Sequence, residues 1–206
     1  SPDSYAMKPV GVVHSCFREK FGIPRQPGLV PAAEATIELL PPADQPEAVR
    51  GLDGFSHLWV VFVFHACPDG KWRPTVRPPR LGGNERVGVF ASRSPFRPNR
   101  TGLSLVKLEK VVADATGVRL RVSGADLLDG TPVLDLKPYI PYAESVPEAS
   151  AGFASTAPES RLTVRFSTAA EAAIAARSDL PRLHELIEQL LVLDPRPATR
   201  REDNRI

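Results

Sequence analysis

Three observations predict a mainly β protein, an antiparallel barrel-like or sandwich core with a small C-terminal α+β appendage. Eight or so short β-branched and aromatic runs recur with turn residues between them, the signature of closed or double-layered antiparallel sheets. Proline accounts for 22 of 206 residues, about twice the ordinary ~5%, and so much fixed, donor-free backbone argues against a helical bundle. Helical periodicity is confined almost entirely to the last quarter of the chain.

The elements follow in order. Val10–His14 and Ala35–Leu40 read as strands, separated by Phe21-Gly-Ile-Pro-Arg-Gln-Pro-Gly28, whose two prolines and two glycines suit neither strand nor helix. Pro46–Leu52 can hold a short helix. His57–His65 is apolar on both faces between its terminal histidines, which predicts a central strand. Val87–Ala91 reads as a short strand inside a basic segment. Leu103–Val112 and Gly117–Ser123 form a hairpin pair about the Asp114-Ala-Thr-Gly117 turn, and Thr131–Tyr139 follows the Asp129-Gly130 turn. Residues 1–142 are thus expected to form the barrel domain, 143–160 an Ala/Ser/Glu/Pro-rich linker and 161–206 a small α+β region. In that region Leu162–Phe166 reads as a strand and Thr168–Arg177 as an alanine-rich helix. Pro181 then opens a second helix with an apolar stripe at Leu183, Leu186, Ile187, Leu190 and Leu191, expected to pack on its own strand or on a second subunit.

Composition excludes several classes. Hydrophobic residues make up 42% and charged residues 24%, so the chain is neither disordered nor membrane-spanning, and its longest apolar run, Leu58–Phe64, falls far short of the ~20 residues a spanning helix needs. Cys16 and Cys67 make no C-x-x-C pair, which disfavours a zinc site or disulfide framework and fits a reducing cytoplasm. No signal peptide is legible at the start. The opening serine, with Met7 the only methionine, points to a trimmed or processed start, and the end at Ile206 suggests a natural chain that runs on. The formal net charge is only +2, but residues 71–100 carry Lys71, Arg73, Arg77, Arg80, Arg86, Arg93, Arg97 and Arg100 against one acid, Glu85. Arginine grips phosphate bidentately and stacks on bases, so this pattern suits a nucleic-acid contact; a solvated basic loop is the plainer alternative.

The common nucleotide and metalloprotease motifs are absent. On one strand, His57 and His65 would stand ~26 Å apart at ~3.3 Å per residue, so they cannot share a metal, and no metal site is expected. Ser92 and Ser94 have no base placed beside them by sequence. Three loops stand out instead. In Lys20–Val30 prolines hold Arg25 and Gln26 in a stiff turn suited to ligand capture; Trp72–Gly83 with Phe90–Arg100 threads prolines among arginines; and Ser123-Gly-Ala-Asp-Leu-Leu-Asp-Gly130 is an acidic turn in which Asp126 can accept from a ribose or amine.

At these loops the sequence resembles the TrmO (TsaA-like) family of S-adenosylmethionine-dependent tRNA methyltransferases. The resemblance rests on Gly11–Ser15, Glu19–Val30, Phe55–Trp59 with Phe62–His65, Trp72–Gly83, Gly88–Ala91 with Arg93, Phe96–Asn99, Asp129–Pro132 with Asp135, Lys137–Tyr139 and Asp194–Pro197, in that order along nearly the whole chain. Cys16 departs from the family pattern where a proline is common, as does Arg100-Thr101 in place of a proline and an apolar residue, and relatives tend to continue past Pro197 with further strands.

The resemblance implies a barrel-type, non-Rossmann methyltransferase that acts as a homodimer on the exocyclic amine nitrogen of threonylcarbamoyl-adenosine, next to the anticodon of threonine-type tRNAs. It places S-adenosyl-L-methionine against Arg25, Gln26, Pro27, Phe64, His65, Arg93, Leu103, Ser123, Gly124, Ala125 and Asp126. In this reading Phe64 and Leu103 are apolar walls, Arg25 or Arg93 meets the carboxylate, and Asp126 or its loop backbone meets the adenosine. The anticodon stem-loop would lie along Arg73, Arg77, Arg80, Arg97 and Arg100, with Trp72 or Phe96 stacking on splayed bases. Methyl transfer from a sulfonium is chiefly a problem of alignment. His65 or a nearby carboxylate is a candidate base, beside a route through the substrate's own carboxylate. The competing expectations are a non-catalytic β-barrel RNA-binding module and a methyltransferase of the same architecture with another acceptor.

Overall fold

The computed structural model describes residues 3–67, 71–159 and 162–196. Its centre is a closed barrel of six antiparallel strands in the order β1-β2-β7-β6-β3-β8: β1 Gly11–Ser15, β2 Ala35–Leu39, β3 His57–Val63, β6 Thr101–Asp114, β7 Gly117–Ser123 and β8 Pro132–Pro138. Two short strands, β4 Thr75–Val76 and β5 Val87–Gly88, pair outside it. Closure decides between barrel and sandwich. Inward apolar residues alternate with outward ones along the strands, and the inward set, including Val13, Ile37, Leu58, Val60, Val106, Leu120, Val122 and Val133, is 0–1% exposed.

β6 is long enough to serve two neighbours, pairing its first half with β3 and its second half with β7. A bulge between Leu108 and Lys110 bends it around the corner. The turn into β7 is held by Asp114, whose carboxylate accepts from the Thr116 N–H at 2.8 Å and from Arg119 at 2.7 Å. β3 is the predicted central strand, with Leu58, Val60 and Phe62 inside. On its outer face Trp59 meets the edge of Tyr139 and donates to Glu144 at 2.7 Å, in helix α1, Pro141–Glu144.

Strand direction alternates around the ring, so the connections β1–β2 (16–34), β3–β6 (64–100) and β7–β8 (124–131) all emerge at one end. These carry the three conspicuous loops. The connection 40–56, containing the predicted short helix as two 3₁₀ turns, and the tight 115–116 turn lie at the other end.

Several expectations are corrected. Of Val87–Ala91 only Val87–Gly88 is strand, and Val89–Ala91 coils into a 3₁₀ turn with Val89 buried and Phe90 thrown outward. β3 stops at Val63, and the His65 N–H folds back onto the Val63 carbonyl at 2.8 Å, so His57 and His65 do not share a strand face. Leu162–Phe166 has no strand partner among the described residues; its recorded backbone contact is a 3.4 Å bond from the Leu162 N–H to the Val192 carbonyl. The two C-terminal helices are present as α2 Thr168–Ala175 and α3 Leu183–Val192. Within the chain the α3 stripe packs on the β1–β2 loop and not on Leu162–Phe166. Leu186 and Leu190, with Leu193, join Phe17, Val30, Ala32 and Ala33 of the β1–β2 loop in a second apolar core.

Gly102 lies opposite Phe62 in the β3–β6 pair, and a Cβ there would stand 2.2–2.6 Å from three ring atoms of that buried phenylalanine. Gly102→Ala is expected to destabilise the barrel by about 1–3 kcal/mol, the usual cost of overpacking. An unchanged urea midpoint would show that this glycine–aromatic pair is not tightly packed.

Candidate functional site

The rim of the barrel end that carries the long loops is tied together by a few specific bonds. The Gly28 N–H donates to the Gly124 carbonyl at 2.8 Å, and both glycines have positive φ, 78° and 68°. A Cβ on Gly124 would stand 3.3 Å from the Gly28 Cα. Glycine is needed here because the first and third loops touch backbone to backbone. The second loop joins through Arg93, whose guanidinium donates to the Gln26 amide oxygen at 2.8 Å. Beside this junction opens a cavity of about 280 Å³ lined by Pro27, Gly28, Pro31, His57, Leu105, Lys107, Ser123 and Gly124.

Of the residues expected to hold the cofactor, the arrangement brings five to this junction. Pro27, Ser123 and Gly124 line the cavity, and Gln26 and Arg93 are bonded at its junction. Leu103 is 50% exposed on the outward face of β6, two residues before Leu105 of the cavity wall. Ala125 contributes no ligand contact through its side chain: it is fully buried in the main core, and its N–H is spent on the Ala33 carbonyl at 3.0 Å. Phe64 sits just past β3, its ring edge-on to Phe62 at 5.0 Å and its N–H bonded to the Arg100 carbonyl. His65 is exposed beyond it, with Nε2 3.9 Å from where a Cβ on Gly130 would stand. Sequence reading missed Pro31, His57, Leu105 and Lys107. Leu105 had a legible signal, since it shares a strand face with Leu103; His57 reaches the cavity only through the non-local pairing of β3 with β6, where it faces Lys107.

Asp126 lies under the rim. Its carboxylate accepts from the Ser104 hydroxyl at 2.5 Å. Burial pushes its pKa above the usual carboxylate value, opposed by the Ser104 bond and by the positive charge of Arg93. On the cavity side, the Ser123 hydroxyl donates to Glu109 at 2.5 Å, and with Lys107 it holds that exposed carboxyl below its ordinary range.

The C-terminal helix braces the first loop. Gln189 accepts from the Ala32 N–H at 2.9 Å, Arg182 donates to the Pro31 carbonyl at 3.3 Å and pairs with Glu34, and Arg25 reaches the Arg196 carbonyl at 3.4 Å. Arg196 is itself paired at 2.8 Å with the buried Asp194.

The basic segment has a distinctive electrostatic state. Among the described residues, none of Arg73, Arg77, Arg80, Arg86, Arg93, Arg97 and Arg100 forms a salt bridge with a carboxylate. Their anchors are neutral. Arg73 lies 4.4 Å over the Phe96 ring, Arg80 donates to the Thr156 carbonyl, Arg97 to the Ser92 carbonyl at 2.7 Å, and Arg100 to the Cys67 carbonyl at 3.1 Å. The segment is held in shape without losing its charge. Ser92 and Ser94 spend their hydroxyls in local turns, which accounts for them without a nucleophilic role. No group of three or more His, Cys, Asp or Glu side chains suited to a metal occurs among the described residues.

Fold and site together define a barrel protein with a cavity between the 27–31 and 123–124 segments and an arginine segment without carboxylate partners among the described residues. The tRNA-methyltransferase O N-terminal domain profile matches residues 12–145, and the TrmO C-terminal domain profile matches residues 159–206. The chain is 51% identical over 199 residues to the tRNA (adenine(37)-N6)-methyltransferase of Escherichia coli (strain K12), covering 96% of this chain and 85% of that one. It is 51% identical over 197 residues to a putative S-adenosylmethionine-dependent methyltransferase, RcsF, of Pseudomonas aeruginosa, covering 95% and 83%. The crystal structure of TrmO from Pseudomonas aeruginosa superposes with a TM-score of 0.78 at 44% identity, over 92% of this chain and 81% of that one. The chain belongs to the TrmO family.

The buried carboxylate gives a test with a definite sign. A raised pKa in the folded state means that ionising Asp126 costs stability as pH rises above its unfolded value, ~3.9. Asp126→Asn keeps an acceptor for Ser104 and is expected to raise the thermal midpoint at pH 7.5. The gain should shrink as pH falls and vanish at about pH 3, where the native and unfolded carboxyls are both protonated. Equal midpoints at every pH would show that burial imposes no cost there.

Proposed function

We propose that the protein is an S-adenosyl-L-methionine-dependent tRNA methyltransferase that methylates the exocyclic nitrogen of threonylcarbamoyl-adenosine next to the anticodon of threonine-type tRNAs. The observation that carries this reading is the placement, at one barrel end, of a small-ligand cavity bonded through Arg93 to an arginine segment without carboxylate partners. The residues at the cavity fit the cofactor. Pro27, Pro31 and Leu105 offer an apolar wall for a ring or thioether chain, Gly28 and Gly124 let backbone approach closely, and Arg25 and Arg93 stand nearby for a carboxylate.

When bound, S-adenosyl-L-methionine supplies a methyl group on a positively charged sulfur. The protein's task is alignment, because an in-line displacement needs donor and nitrogen at near-attack distance more than it needs a strong catalyst. Prolines 24 and 27 and the α3 brace hold the Arg25–Gly28 turn before binding, which lowers the entropy cost of capture. The N–H proton leaves as the new N–C bond forms, because the carbamoylated nitrogen is delocalised and a poor nucleophile while neutral. Asp126, made more basic by burial, and the exposed His65 are the side chains of this end that can take it, beside the substrate's own carboxylate.

The arginines serve the other ligand. Arg77, exposed and without an ion pair among the described residues, and Arg80, at the linker, are placed to meet phosphates of the anticodon stem-loop. The protein is further proposed to work in the cytoplasm as a homodimer. None of the described helices is long and apolar enough to cross a membrane.

Incubation with S-adenosylmethionine and tRNA from a strain lacking its own enzyme is expected to yield an N6-methylated threonylcarbamoyl-adenosine, read by nucleoside mass spectrometry. Binding of tRNA with no methyl transfer would favour a non-catalytic module. Arg77→Ala with Arg80→Ala is expected to weaken tRNA binding and reduce the magnitude of its log–log salt slope by about 1–2, as two lost phosphate contacts predict; wild-type binding curves would remove these arginines from the interface.

A further inference from the structure

Phe90 has no role in the site as described, yet it is 75% exposed while its neighbour Val89, in the same 3₁₀ turn, is 2% exposed. Val89 anchors the turn and Phe90 is presented by it. The Arg97 guanidinium lies 5.5 Å from the Phe90 ring centre and is fixed by bonds to the Val89 and Ser92 carbonyls at 3.3 and 2.7 Å. Beside the ring opens a second cavity, about 190 Å³, lined by Phe90, Arg97, Pro98, Asn99 and Thr101. The Asn99 side chain is exposed and makes no hydrogen bond among the described residues. An open aromatic face, a free amide with one donor and one acceptor side, and a pinned cation are the groups that recognise an unpaired nucleobase.

We propose that this cavity takes one unpaired base of the substrate RNA, stacked on Phe90, with its edge read by Asn99 and its phosphate met by Arg97. The proposal rests on the tRNA methyltransferase reading and adds a base-specific subsite to it. Phe90 and Arg93 are three residues apart, so their Cα atoms lie within about 11 Å, and Arg93 is bonded to Gln26 of the cofactor loop. The subsite therefore receives a base close to the methylated adenosine and not one in the distant stem. The aromatics expected from sequence to stack are less suited. Phe96 is only partly exposed and carries Arg73 at 4.4 Å, closer than Arg97 stands to the 75% exposed Phe90, and Trp72, although 52% exposed, lines neither cavity.

The test uses the full chain with an anticodon stem-loop RNA and saturating S-adenosylmethionine. Phe90→Ala is expected to raise KM for the RNA about tenfold or more, within the range that losing one base–aromatic stack brings. Phe90→Tyr should restore it, and affinity for S-adenosylhomocysteine should stay at the wild-type value in both. Asn99→Ala should flatten the preference of the enzyme among stem-loops that differ only in a base flanking the target. A KM within twofold of wild type for Phe90→Ala, or an unaltered base preference in Asn99→Ala, would overturn the subsite. If the wild-type protein transfers no methyl group at all, the methyltransferase reading fails separately. Equilibrium binding of a fluorescent stem-loop to the same variants then decides the subsite, a tenfold loss for Phe90→Ala supporting it and wild-type affinity overturning it.

Discussion

A ring of six strands in which every neighbour is antiparallel closes only when direction alternates all the way round, and that alternation determines where the connections can go. The connections 16–34, 64–100 and 124–131 each follow a strand running in the same sense and so share one end. The other end keeps the 40–56 connection and one tight turn. The site is therefore a consequence of the pairing order. Residues as distant in sequence as Gln26, Arg93 and Gly124 meet because the ladders that position their loops are hydrogen-bonded side by side through a packed interior.

Long loops without regular structure are costly to order, and this protein limits that cost in two ways. Proline stiffens the backbone where arginine must be presented: Pro24 and Pro27 flank Arg25, and Pro74, Pro78, Pro79, Pro95 and Pro98 run through the basic segment. The second apolar core then fixes the first loop from outside, with Leu186 of α3 against Val30, Ala32 and Ala33, and with Gln189 and Arg182 bonded to its backbone. The C-terminal region is thus mechanically part of the 16–34 loop. The half-buried Asp126 works in the opposite sense: desolvation raises its pKa, so its ionised form weighs against stability.

Much of this was legible in the sequence because it is local. The apolar run of β3, the Asp114–Gly117 turn, the stripe of α3 and the stiff Arg25 turn each show within a dozen residues. What was not legible depends on partners far along the chain. Barrel and sandwich share the same strand pattern and differ only in whether the sheet closes. Leu162–Phe166 alternates like a strand but lacks a ladder among the described residues, and Val89–Ala91 continues the apolar pattern of β5 yet forms a 3₁₀ turn with Val89 buried. The α3 stripe announced a buried face without saying against what, and its partner proved to be a loop more than 150 residues earlier, as the Ala32–Gln189 bond shows. Trp72 and Phe96 drew attention as aromatics among arginines, yet Arg73 covers Phe96 and the turn presents Phe90.

The central claim is that the three loops of one barrel end build the cofactor site, braced by α3. The crystal structure of the protein with S-adenosylhomocysteine tests it most directly. The account predicts the ligand in the cavity between Pro27–Gly28 and Ser123–Gly124, within contact distance of Leu103 or Leu105 and of the Gln26–Arg93 pair. A ligand that leaves Gly28 and Gly124 untouched would contradict it.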